Sequence, residues 1–168
     1  MSPLMLKGSP VEILGKLPEV ATIAKDFAAV TTGLEERTLY SYGKKNKILN
    51  VFPSLDTHTC ALSVKKFNES IKNNDNVVVL NISKDLPFAM GRFCKSENIK
   101  NVEVLSVYRS TFSDDYGLTF KDGPLQGLCS RAIVVLDANN KIIYTEQVKE
   151  ISEEPNYDQA FQALNSVL

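Results

Sequence analysis

Apolar positions along the chain follow two rhythms, and their alternation outlines an α/β fold. Nearly continuous apolar runs of strand length occupy residues 47–52 and 77–82, the second rich in valine, as expected of strands buried on both faces. Shorter runs at 102–107, 132–136 and 142–148 give three further strands. Between the first two runs, Ala61, Val64, Phe67 and Ile71 recur at helical spacing and predict a helix from Cys60 to Lys72. After the second, Ser83, Lys84 and Asp85 are cap candidates for a helix entered through Pro87 and running towards Cys94. Tyr157, Ala160, Phe161, Leu164 and Leu168 keep the same spacing and predict a terminal helix.

The order βαβαβ, then two strands joined by a turn at 137–140, then a helix, predicts a mixed sheet with helices on both faces. Two short runs around Gly8-Ser9-Pro10, at 4–7 and 11–14, predict an N-terminal β-hairpin lidding one end of the fold. No repeat, low-complexity tract or linker interrupts the 168 residues, so one domain spanning 1–168 is expected.

Charge narrows the partners. Nineteen Lys and Arg against 20 Asp and Glu leave a net charge of -1, which favours neither nucleic acid nor an anionic membrane. No apolar stretch nears the roughly 20 residues that span a bilayer, and the start lacks a basic segment followed by an apolar core, so a cytoplasmic protein is expected. Three cysteines, Cys60, Cys94 and Cys129, form no CxxC pair and argue against a secreted disulfide framework. In a reducing compartment, a disulfide between any two of them reads as a redox step rather than a staple.

The chemistry gathers at Pro53-Ser54-Leu55-Asp56-Thr57-His58-Thr59-Cys60, the junction between the first long strand and its helix. A cysteine in a first helical turn faces backbone N–H groups that lack intrahelical partners, and with the helix dipole these favour a thiolate over a thiol. Thr57, three residues earlier, is placed to turn its hydroxyl towards the sulfur, and Pro53 sets the direction in which the chain leaves the strand. Taken singly, both are common structural residues: a helix N-cap and a strand terminator. His58 suggests a Cys-His pair, and His58 with Cys60, Cys94 and Cys129 are the residue types of a zinc site, although no short chelating pair supports one.

This octapeptide resembles the PxxxTxxC motif of the peroxiredoxins, and its fuller form PSLDTxxC resembles the bacterial thiol peroxidase branch of atypical 2-Cys peroxiredoxins. Further stretches resemble that branch: VKKFN at 64–68, SKDLPFA at 83–89, RFC at 92–94, DGPLQGL at 122–128, RAIVVLD at 131–137 and EEPNY at 153–157. The resemblance runs nearly the whole chain. It implies a thioredoxin-like fold with a central mixed sheet flanked by helices, Cys60 as the peroxidatic cysteine and Cys94 as the resolving one, with Thr57, Pro53 and Arg131 framing the pocket. Arg131 would supply a fixed positive charge and a donor fork; without the resemblance, an arginine opening a strand reads as solvated.

The same resemblance implies reduction of hydrogen peroxide and alkyl or lipid hydroperoxides, a Cys60-Cys94 disulfide recycled by thioredoxin, a homodimer, and no metal or organic cofactor. A peroxide sensor that relays oxidation to a partner would use the same Cys60 chemistry. Because the two cysteines lie on different predicted helices, and a disulfide tolerates Cα atoms only to about 7 Å apart, both segments are expected to rearrange when it forms. Two positions depart from the branch: Thr59 stands where an aliphatic residue is usual, and Cys129 where a small residue such as alanine is more common. Packing alone would make Cys129 a small buried hydrophobe.

Overall fold

The two long apolar runs become neighbouring strands at the centre of a sheet, in a computed structural model that describes residues 3–100 and 102–168. In chain order the elements are β1 (Leu4–Leu6), β2 (Ser9–Val11), β3 (Ile13–Leu14), β4 (Ala28–Val30), β5 (Glu36–Thr38), β6 (Asn46–Val51), α1 (His58–Ile71), β7 (Val77–Ser83), α2 (Pro87–Ser96), β8 (Glu103–Ser106), α3 (Phe112–Asp115), β9 (Thr119–Phe120), β10 (Ala132–Leu136), β11 (Ile142–Gln147) and α4 (Tyr157–Asn165). Seven strands pair in the order β11-β10-β6-β7-β8-β4-β5. The strands β6, β7 and β8 run parallel through the crossovers α1 and α2, while β10 and β11 add antiparallel on one side and β4 and β5 on the other.

Period-two alternation sorts the core into two faces. Leu49, Val51, Leu80, Ile82, Leu105 and Val134 pack against Phe27, Leu39, Phe112 and Tyr116. From the opposite face, Ile48, Val79, Ile133 and Val135 meet Phe67 of α1 and Ala160 and Leu164 of α4. Burial on both faces is why the central strands read as unbroken apolar runs. Truncating a side chain such as Phe67, fully buried and edge-on to Tyr157, would cost about 3–5 kcal/mol. A third cluster, Phe52, Leu55, Cys60, Val64, Met90, Phe93 and Val104, fills the space between the start of α1 and α2.

Polar residues inside this core are held by fixed partners, although Asn50 Oδ1 has none among the described residues. Asn50 Nδ2 donates to Ser63 Oγ at 3.1 Å and Asn81 Oδ1 at 3.0 Å, tying α1 to the two central strands. Lys47, which opens the first run, is buried at the far strand end. Its Nζ donates to the Gly43 and Lys45 carbonyls and to Asn140 Oδ1, and burial lowers its pKa.

Several expectations need adjusting. The hairpin forms, but its turn is Lys7-Gly8, with φ of 50° and 82°, the positive pair a two-residue I′ connection requires. Ser9 and Pro10 belong to β2, and Ile13–Leu14 leaves the hairpin to pair with β9. Leu86 occupies the N-cap position of α2 and no side chain caps it, so none of Ser83, Lys84 and Asp85 is a cap. The helices are divided unequally: α1, α2 and α4 cover one face, whereas the single turn α3 and the 3-10 turn Leu39–Tyr42 contribute Phe112 and Leu39 to the other.

Candidate active site

Past Val51 the chain stays bonded to β7 for one residue, Phe52 N donating to Ile82 O at 3.1 Å. Pro53 then ends the ladder, since it has no N–H to give. A turn closes as Thr57 N donates to Ser54 O at 3.2 Å, and α1 begins at His58. Thr57 stands at the N-cap position with extended φ and ψ, yet its side chain makes no capping bond. Its Oγ1 lies 3.0 Å from Ser54 O and 2.6 Å from Cys60 Sγ.

One hydroxyl hydrogen cannot serve both. The Ser54 carbonyl only accepts, so with a Cys60 thiol the S–H donates to Oγ1 and Oγ1 donates to Ser54; with a thiolate, the hydroxyl turns its hydrogen to sulfur. The contact survives either protonation state.

Arg131 approaches Cys60 from the start of β10. It is 2% exposed, contrary to the solvated arginine that its sequence setting alone suggests. Nε donates to Ile151 O at 2.9 Å and Nη2 to Cys60 Sγ at 3.3 Å. Nη1 is buried without a partner among the described residues, so one donor of the fork is free.

The N-terminal hairpin holds the segment that orients Arg131. Met5 N donates to Lys149 O and Ile151 N to Met5 O, at 2.7 and 2.8 Å. The Glu150 carboxylate accepts from Ser152 Oγ and from the amides of Lys7 and Gly8; the Ser152 hydroxyl, then the Lys7 amide, draw its pKa down to about 2. Thr59 Oγ1 donates to Ser152 O at 2.8 Å, fastening the first turn of α1 to the same segment. Thr57 and Arg131, the two residues that reach the sulfur, line a cavity of about 540 Å³ together with Leu6, Pro53, Leu125 and Ile151. The hairpin, packed over Phe120 and Ile151, thus also forms part of the pocket wall.

The remaining candidates divide sharply. His58 is exposed at the cavity rim, and no hydrogen bond joins it to Cys60. Cys94, partly buried on α2, packs against the cluster that contains Cys60, and burial raises its thiol pKa. Cys129 is fully buried in the cluster on the other face of the sheet, where burial pushes its thiol up to about 12. A zinc site using Cys60 and Cys129 together is therefore ruled out by placement. Sequence reasoning missed Ser54 and Glu150, whose side chains look like ordinary loop polarity, and took Asp85 for a cap although it turns towards residues 54 and 55.

A helix N-terminal cysteine held by a threonine and a buried arginine beside a small cavity, with a second cysteine on the next helix, defines a thiol-redox protein on a thioredoxin-like sheet. The chain belongs to the Redoxin family, which matches residues 16–161. It is 46% identical over 165 residues to a thiol peroxidase of Corynebacterium glutamicum, covering 98% of this chain and 100% of that protein. The crystal structure of a peroxiredoxin-like protein from Aquifex aeolicus superposes with a TM-score of 0.93 at 36% identity, over 100% of this chain and 98% of that one. A thiol peroxidase from Chromobacterium violaceum shares the fold, with a TM-score of 0.89 at 20% identity over 98% and 95% of the two chains.

Proposed function

We propose that Cys60 is the residue on which this chain carries out thiol-dependent peroxide reduction, with Cys94 as its resolving partner. The observation that carries the reading is the convergence of Thr57 Oγ1 and Arg131 Nη2 on Cys60 Sγ beside the cavity, with Arg131 Nη1 still free to donate. The Cys60 thiolate attacks one peroxide oxygen and the O–O bond breaks. That oxygen stays on sulfur as a sulfenic acid, and the other leaves as alkoxide or hydroxide to be protonated to alcohol or water. Thr57 and Arg131 supply donors where negative charge develops on the oxygens, and Pro53 shapes the pocket wall against which the substrate rests. The apolar residues Leu6, Leu125 and Ile151 in that wall suit alkyl and lipid hydroperoxides as well as hydrogen peroxide.

In the second step Cys94 sulfur displaces the sulfenic oxygen as water and forms the Cys60-Cys94 disulfide. Both cysteines are free thiols on separate helices here, so the start of α1 and the segment around Cys94, in the last turn of α2, move when the bond forms. A thioredoxin dithiol then reduces the disulfide and is itself oxidised. Thioredoxin as the reductant, a homodimeric assembly and a cytoplasmic location belong to the same proposal and follow from the resemblance to thiol peroxidases. Neither a metal nor an organic cofactor enters any step.

A thioredoxin-coupled assay on hydrogen peroxide and a bulky organic hydroperoxide tests the reading. The wild type should turn over both, Cys60→Ser neither, and Cys94→Ser should undergo one thioredoxin-independent oxidation. Sustained turnover by Cys60→Ser would overturn the assignment. Full thioredoxin-dependent turnover by Cys94→Ser would remove Cys94 from it.

A further inference from the structure

Asp85 lies two residues before the first residue of α2, yet its side chain serves the loop in front of α1. Oδ1 accepts from Ser54 Oγ at 2.7 Å, and Oδ2 accepts from the Leu55 amide at 2.8 Å and from Ser83 Oγ at 2.7 Å. Its backbone is held as well, its amide donating to Ser83 Oγ at 3.2 Å and its carbonyl accepting from Ser106 Oγ at 2.5 Å. The carboxylate therefore sits on a base fixed to β7 and β8. Ser54, which it grips, is the residue whose carbonyl receives the Thr57 amide and, while Cys60 is a thiol, the Thr57 hydroxyl. Only Ser54 separates the Asp85 carboxylate from the hydroxyl that touches Cys60.

We propose that Asp85 is a positioning residue that seats the Thr57 hydroxyl on Cys60 and, through the same carboxylate, fastens the Cys60 loop to the entrance of the Cys94 helix. The proposal rests on the peroxidase reading and adds a residue to it. An ionised carboxylate has only acceptors, which matches the three donors aimed at it. An asparagine of the same shape would turn an N–H₂ group towards at least one of them. Its loss acts on the two steps in opposite directions. Peroxide attack slows because Thr57 is no longer held at the sulfur, and disulfide formation quickens because the loop that leads into α1, which must rearrange, is no longer tied to the residues after β7.

Single-turnover experiments with rapid quench and mass analysis separate the two phases in the full-length protein. Asp85→Asn should oxidise Cys60 at least tenfold more slowly than wild type and pass from sulfenic acid to disulfide at least threefold faster. Ser54→Ala, which removes one bond from the other side of the clamp, should shift both phases the same way by less. It decides the question if Asp85→Asn does not fold. Ser106→Ala loosens the Asp85 backbone but spares the clamp on residues 54 and 55, and should keep both phases within twofold of wild type. Simple destabilisation does not distinguish Ser106 from Ser54, and it does not predict opposite signs in the two phases. Cys60 oxidation within twofold of wild type in Asp85→Asn, or in Ser54→Ala if that variant must decide, would overturn the proposal, as would equal effects of Ser106→Ala and Asp85→Asn. A wild-type protein that leaves Cys60 reduced would overturn the peroxidase reading and this proposal with it.

Discussion

Cys60 and Cys129 are both unpaired and fully buried, one on each side of the central sheet, and they differ in what faces the sulfur. Cys129 belongs to the apolar cluster that holds Phe112, Leu118 and Ala132, and with no donor supplied to its sulfur among the described residues, burial drives the thiol to about 12. Cys60 is equally removed from water, yet a hydroxyl and a guanidinium nitrogen reach its sulfur at the start of a helix. Burial by itself makes an inert thiol; burial with donors aimed at the sulfur makes a candidate nucleophile. Cys94 lies between them, partly buried, raised by that burial, and suited to wait until the helix moves.

The largest effect that would sharpen this contrast is on turnover itself. Cys60→Ser should abolish peroxide reduction, while Cys129→Ala should stay within about twofold of wild type in the coupled assay. A Cys129→Ala protein as inactive as Cys60→Ser would break the comparison. The donors come next. Arg131→Met should lower the single-turnover oxidation rate by about 10²–10³, the scale of losing a preorganised donor to developing charge, and Thr57→Val by roughly tenfold to a hundredfold on the same reasoning. Unchanged rates would mean that the donors do not set Cys60 apart.

A smaller effect lies on the Cys129 side and shows in stability. The thiol pKa rises from an ordinary 9.0 unfolded to about 12 folded. Above pH 9 the unfolded chain has therefore lost a proton that the native state keeps, and native stability falls as pH rises from 9 towards 12. The Cys129 share of that slope approaches about 1.4 kcal/mol per pH unit. Urea unfolding at pH 8, 9 and 10 should show Cys129→Ala falling less steeply than wild type; parallel curves would contradict the burial argument. Smallest is Thr59→Val, which removes the bond to Ser152 O. A cost of about 0.5–1.5 kcal/mol in thermal unfolding, with peroxide rates within about threefold of wild type, is the expected result.

The parts of the fold readable in advance were those whose burial leaves a period. The strands β6 and β7 are apolar on both faces, and α1 and α4 repeat at helical spacing, so their order alone outlines the sheet centre. β4, β5, β3 and β9 are two or three residues long, too short for any period to emerge, and the pairings of β4 with β8 and of β3 with β9 reach far along the chain. β3 joins β9 across more than a hundred residues.

The site divides the same way. Cys60 and Thr57 sit three residues apart on one turn, so local geometry alone suggests their contact. Arg131 becomes a candidate only through the resemblance, because nothing around it in sequence announces that β10 will carry it into the core. Asp85 was visible but assigned to the wrong helix, since a polar residue just before a predicted helix fits a cap as well as a clamp.

The account turns on which sulfurs meet after oxidation. Peptide mapping of the wild-type protein treated with one equivalent of hydrogen peroxide and digested without reductant measures this directly. A Cys60-Cys94 disulfide with Cys129 recovered as a free thiol is the predicted result. A Cys60-Cys129 disulfide, or an oxidised Cys129 beside an intact Cys60, would contradict it.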